Sequence, residues 1–242
     1  GQLVDGFRSV CRGEYISGGD PDVFDPRPPE RTFVGSFFCA KYPVTFREYL
    51  EWFNELYRRT GEAAMKHAPQ TQENEEHELD LPVIGIRATD AEQYARWRSR
   101  RDGVPYRLPT VDEYEKAGRG VDGRCFPWGD EFDATFCKMR FSRPEMPPQP
   151  EPVGTFEADN SPYGIRDLAG GVREWCQLRS QVDDEEPSHR PIKGGSWNHD
   201  SRSCRLAGTR EVVPGSRAGQ IGFRLVYDLR DDAPEGRFDT LD

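Results

Sequence analysis

Residues 194–205 read GGSWNHDSRSCR and carry two reactive side chains, the His199 imidazole and the Cys204 thiol, five positions apart. A thiolate and a neutral imidazole both bind soft and borderline metals, and a thiolate is also a nucleophile and an electron donor. The plainer alternative makes Cys204 a small apolar filler and His199 a surface residue. Four arginines, Arg202, Arg205, Arg210 and Arg217, lie in this stretch and its continuation. Guanidinium groups suit an anionic small molecule or a protein ligand. Arg205 and Arg210 have a second reading, in which they turn inward and brace the corner.

Other chemistries are excluded by spacing and charge. The six cysteines, at 11, 39, 125, 137, 176 and 204, include no CxxC pair. The four histidines, at 67, 77, 189 and 199, form no HExxH, so a zinc site is not expected. A net charge of −10 argues against nucleic acid, whose phosphates need a basic surface. No apolar run approaches the roughly 20 residues of a membrane span. The expected location is the cytoplasm.

The elements that must hold these side chains are legible in outline. Three Thr-x-x-Glu pairs, Thr45/Glu48, Thr89/Glu92 and Thr110/Glu113, read as helix starts, because each pair can satisfy free first-turn N–H groups. Phe46, Tyr49, Leu50, Phe53, Leu56 and Tyr57 follow the first at helical spacing, with Gly61 as its stop. Ala91, Tyr94, Ala95 and Trp97 mark a second helix ending near Gly103, and a short third stops at Gly118 or Gly120. Residues 31–42 and 221–229 are rich in aromatic and β-branched side chains and read as strands. RPIKGGSW and CRLAGTR are weaker strand candidates. Residues 66–80 and 183–186 read as polar surface loops, and 143–152, with its prolines, as a connector. With 242 residues and no clear linker, the pattern gives one α+β domain with few helices, short strands and many loops.

Seven stretches, in order, resemble the formylglycine-generating enzyme (sulfatase-modifying factor) family. They are KYPVTFREYLEWF (41–53), LPVIGIRATDAEQYARW (81–97), PYRLPTVDEYEKAGRG (105–120), RCFPWGDEFD (124–133), SPYGIRDLAGGVREWC (161–176), KGGSWN (193–198) and IGFRLV (221–226). The resemblance covers about residues 13–228 and leaves 229–242 as a charged tail. It implies a C-type-lectin-like fold, a single α+β domain. The flavour of several stretches is closest to domains attached to bacterial serine/threonine kinases. Variable proteins of diversity-generating retroelements use the same scaffold.

What the resemblance implies about chemistry depends on one substitution. Family enzymes oxidise a sulfatase cysteine with oxygen and copper(I) held by two cysteines, five positions apart, after the Gly-Gly-Ser-aromatic corner. Aligned on Gly194–Trp197, Cys204 takes the second position and His199 the first. The dithiolate that suits copper(I) is therefore missing, the site is degenerate, and copper is not expected. A related branch uses histidine-held iron from a separate helical domain, which this sequence lacks.

The resemblance also implies a structural calcium on the Asp167 and Glu174 side chains and the Gly170 and Val172 carbonyls, hard oxygens about a tight turn. The alternative has Asp167 and Glu174 capping backbone groups. A second family calcium site needs an asparagine after PWGD, and ATFCKM offers none.

The function expected is a non-catalytic ligand- or protein-binding sensor module. Its binding surface is Trp197, Asn198, His199, Asp200, Ser201, Arg202, Ser203, Leu206, Gly208, Thr209, Glu211, Arg217 and Gln220. Any kinase would lie outside this chain, which holds no kinase motif. The alternatives are a retroelement variable protein and a copper-dependent oxidase working through His199 and Cys204. Trp128, Trp175 and Trp197 are expected in core packing, with their indole N–H groups on loop carbonyls.

Overall fold

The computed structural model describes residues 4–69, 78–177 and 188–229. The acidic 183–186 stretch, most of the charged tail and residues 70–77 of the polar loop lie outside these.

Chain order begins with strands β1 (Phe7–Val10), β2 (Gly13–Ser17), β3 (Glu30–Val34) and β4 (Phe37–Ala40). Three helices follow, α1 (Phe46–Thr60), α2 (Ala88–Asp102) and α3 (Val111–Arg119). The remaining strands are β5 (Arg173–Trp175), β6 (Arg190–Lys193), β7 (Thr209–Val212), β8 (Ile221–Gly222) and β9 (Val226–Asp228). They form a three-stranded sheet β1-β4-β9, a β2-β3 hairpin and a four-stranded sheet β7-β6-β5-β8.

Two of the three helix starts are where the capping pairs put them. Thr45 and Thr110 each cap their helix and exchange hydrogen bonds with Glu48 and Glu113. The second start differs. Helix α2 begins at Ala88, and the N-cap is Arg87, whose N–H donates to the Asp90 carboxylate at 3.0 Å. Buried Asp90 also takes the Arg87 guanidinium and lies 2.6 Å from His67 Nδ1, so it outcompetes the Thr89/Glu92 pair. Gly120, not Gly118, ends α3, and Gly118 instead lets the helix press against Leu206.

Both long strand candidates break in the middle. Residues 31–42 divide at Gly35–Ser36 into β3 and β4, which belong to different sheets. Residues 221–229 divide into β8 and β9, again in different sheets. Residues 221–227 are all buried, so that run does not alternate, whereas in 31–42 Phe33 is exposed and Val34, Phe37, Phe38 and Cys39 are buried. CRLAGTR is no single strand: Ser201–Cys204 is a 3-10 turn, and β7 starts at Thr209. The 143–152 segment forms neither helix nor strand.

An aromatic core fills the space between α1, α2 and the sheets, with Tyr49, Tyr94, Trp175 and Phe223 closed to solvent. Ionic ties hold the part that carries the site. Lys193, the last residue of β6, donates to Glu115 of α3 at 2.9 Å, and neither side chain reaches water. Arg119 meets the other Glu115 oxygen at 2.8 Å. A buried carboxylate is tolerated only when so paired, and this pairing fixes the strand that leads into Gly194.

Candidate functional site

The Gly194–Trp197 corner is anchored to the turn before β5. Gly195 N–H donates to the Ala169 carbonyl and Trp197 N–H to Gly171, each at 2.9 Å. At Gly195 a Cβ would sit 2.7 Å from both the Ala169 oxygen and Cys204 Sγ, so the approach admits only glycine.

Cys204 and His199 do not form a pair. Cys204 is closed to solvent and packs with Phe126, Cys137, Met139 and Ala169. Its sulfur faces the Asp200 carbonyl at 3.5 Å and Cys137, whose thiol is pushed well up, first by hydrogen bonding with Cys204 and then by burial. His199 Nδ1 instead hydrogen bonds with Ser196 Oγ. Burial, reinforced by the positive charges of Arg173 and Arg210, lowers the imidazole to about 4, so it is neutral at pH 7. The two residues are thus engaged separately, Cys204 with Cys137 and His199 with Ser196. The actual neighbour of Cys204 is Cys137, in the segment after PWGD. Spacing along the chain could not reveal it, because the fold alone brings that segment under the corner.

The expected calcium residues divide between two environments. Both Glu174 oxygens are engaged by Arg224, Nε to Oε2 and Nη2 to Oε1, each at 2.7 Å. Asp167 has a positive φ of 57° and accepts the Gly154 N–H at 2.6 Å. Asp159, closed to solvent, accepts backbone N–H groups of Leu168, Ala169 and Gly170. Burial raises both aspartates, Asp159 to about 7 with a further push from Asp167, and Asp167 to about 6. These two line a small recess with Gly170, Gly171, Lys138 and Glu151. Asp167 is offset by the Gly154 N–H and by the charges of Arg224 and Arg166, while Glu174 is neutralised directly by Arg224.

The expected binding surface is only partly a surface. Asp200, Arg202 and Glu211 are exposed, and Trp197, Asn198, His199, Ser201, Gly208, Thr209, Arg217 and Gln220 are half-buried. Leu206 and Ser203 are buried, Leu206 against Gly118 of α3. The Arg217 guanidinium is spent on the carbonyls of Gly85, Lys66 and Ala68. Arg205 does brace the corner, pairing with Asp20 at 2.9 Å and Asp22 at 2.9 Å. Arg210 does not. It is exposed and stacks over Phe24.

Trp175 and Trp128 donate their indole N–H groups to the Ile86 and Glu131 carbonyls. The Trp197 Nε1 is buried without a partner. Two contributors to this face escaped the sequence reading. Phe24 arrives from the loop after β2, and Arg173 sits inside the GVREWC stretch, where its neighbours suggested structure alone.

Comparison with known proteins agrees with this architecture. The Sulfatase-modifying factor enzyme 1-like domain matches residues 2–229. The serine/threonine-protein kinase pkn1 of Chlamydia caviae is 29% identical over 90% of this chain, which spans 37% of that kinase. The inactive C-alpha-formylglycine-generating enzyme 2 of Mus musculus is 32% identical, with 88% of this chain and 82% of the relative aligned. Among solved structures, variable protein 1 of Treponema denticola superposes with a TM-score of 0.71 at 17% identity, covering 92% of this chain and 95% of that one. With its match running nearly end to end, on a C-type-lectin-like α+β fold, this chain belongs to the sulfatase-modifying factor enzyme 1-like domain family.

Proposed function

We propose that this chain is a non-catalytic binding module that serves as the sensing or partner-binding arm of a signalling kinase. The observation that carries the reading is the fate of Cys204. Its thiol is sealed against Cys137 in an apolar pocket, and the His199 beside it in sequence is tied to Ser196. An oxidase would need an open pair of metal ligands at this corner, and function follows the site rather than the fold. The kinase context is supported by the Chlamydia caviae relative, a kinase that carries a similar segment within a longer chain.

Partner recognition is assigned to the exposed part of the 198–220 segment, with a protein or an anionic small molecule as ligand. No helix among the described residues is long and apolar enough to cross a membrane. The test uses immobilised module to capture its partner. A variant carrying Arg202→Ala, Asp200→Ala and Glu211→Ala, all exposed, should keep its melting temperature and lose the captured species. Equal capture by the variant would remove this surface from the function.

We further propose a structural calcium on the Asp167 side chain and the neighbouring Gly170 and Val172 carbonyls. The support is that two buried carboxyls, Asp159 and Asp167, lie close enough for Asp167 to raise Asp159, beside the Gly170 turn.

A further inference from the structure

Arg173 is a buried arginine without an acid. It is 7% exposed, its Nε is buried with no hydrogen-bond partner, and it forms no ion pair with any described residue. Buried arginines normally meet a carboxylate, as Arg224 meets Glu174 and Arg119 meets Glu115. Here the nearest strong influence is another cation. Burial first, then the charge of Arg210, lowers the guanidinium to about 10, with smaller opposing pulls from Cys204 and Asp200.

Arg173 and Arg210 reach one place from two strands of the same sheet. The register aligns Trp175, Ile192 and Arg210 across β5, β6 and β7. Strand alternation puts Arg173, two residues before Trp175, on that same face. Arg202 comes in from the 3-10 turn. Phe24 lies between the two outer arginines, with the Arg202 and Arg210 guanidinium carbons 4.8 and 4.2 Å from its ring centre. The stacking holds two extended cations beside a third.

Together Arg173, Arg202, Arg210 and Phe24 line a recess of about 10 Å³, room for one water-sized group. Gly194 and Gly208 form part of its wall and supply no side chain. The recess shares Phe24, Thr209 and Arg210 with an open groove of about 640 Å³. Asp25 and Glu211 line that outer groove, and neither forms an ion pair with the three arginines. Neutral His199 adds no charge.

We infer that Arg173, Arg202 and Arg210 form a binding site for the phosphate of a phosphomonoester, with the organic part of the ligand lying over Phe24 in the adjoining groove. Three guanidinium groups, none in an ion pair with a described carboxylate, match a dianion better than a single carboxylate. The small recess takes an oxygen of the anion and the larger groove takes what is attached to it. This inference deepens the binding-module reading and rests on it for its biological purpose.

The test is calorimetric titration of the whole chain with inorganic phosphate, phenyl phosphate and acetate. Phosphate should bind saturably with one site per chain, phenyl phosphate more tightly, and acetate at least about tenfold more weakly. Arg210→Gln and Arg202→Gln change exposed side chains and should each weaken phosphate about tenfold, with the fold intact. Arg173→Gln should abolish binding and Arg173→Lys should retain part of it. Absence of saturable phosphate binding, wild-type affinity in R210Q and R202Q, or acetate binding as tight as phosphate would each overturn the assignment. If partner capture still depends on the 198–220 surface while phosphate does not bind, this inference falls alone. If the chain consumes oxygen on a cysteine peptide yet binds phosphate, the non-catalytic reading falls and the anion site stands.

Discussion

The Glu174 carboxylate holds both ends of the Arg224 fork, Nε and Nη2 at 2.7 Å each, with neither side chain open to solvent. The pair joins β5 to the segment between β8 and β9, and so ties the turn under the corner to the last strands. Arg224 extends the tie through the carbonyls of Arg166, Asp167 and Ala40.

Breaking this pair from one side should cost about 3–5 kcal/mol, because the remaining charge stays buried and alone. Urea unfolding of Arg224→Met and Glu174→Gln should both show losses on that scale. A loss under about 1 kcal/mol, as for a surface pair, would contradict the buried geometry.

Cys204 is assigned to packing, so its removal should touch stability and not recognition. Cys204→Ala should lower stability by about 1 kcal/mol through lost packing in the Phe126–Cys137 pocket. Partner capture should be unchanged once the variant is folded. Loss of capture by a folded C204A protein would show that the thiol has a direct part in binding.

His199 makes the fold sensitive to mild acid. Its folded-state value of about 4 lies below the ordinary 6.5, so the unfolded chain binds the proton more readily. The contribution to stability is present above about 6.5 and is lost as pH falls towards 4. The melting temperature of His199→Gln should therefore fall less than that of the wild type between pH 7 and pH 4.5. Parallel pH profiles would contradict the burial and the arginine field around the ring.

Calcium should act through Asp167. In chelator-treated protein, millimolar calcium should raise the melting temperature, since a ligand of the folded state stabilises it by mass action. Asp167→Asn keeps a residue type tolerant of the positive φ and removes the charge, and should abolish that rise. No calcium response in the wild type would contradict the site and leave Arg224 and Arg166 as the cations that offset Asp167.

How far the sequence led is clearest at particular residues. Thr45 and Thr110 were legible as caps because their partners are three residues away. Asp90 was not, because His67 and Arg87 reach it through the fold. The strand runs were found, but not that each switches sheets, since sheet membership is set by partner strands far along the chain. At the site, the corner motif and its missing cysteine were readable. The Cys137 contact, the inward turn of Leu206 and the spending of Arg217 on backbone were not, because they join distant segments. Arg173 was hidden for a further reason: only a structure shows that a buried arginine lacks its acid.

The Gly194–Trp197 corner is assigned to binding rather than to oxidation. The most direct measurement is oxygen uptake by the whole chain, with copper(I) supplied, on a sulfatase-type Cys-x-Pro-x-Arg peptide, beside the same assay on Cys204→Ser. Uptake should be no faster than without protein, with no difference between the two. Turnover by the wild type that disappears in C204S would contradict it and restore Cys204 to the centre of an oxidase.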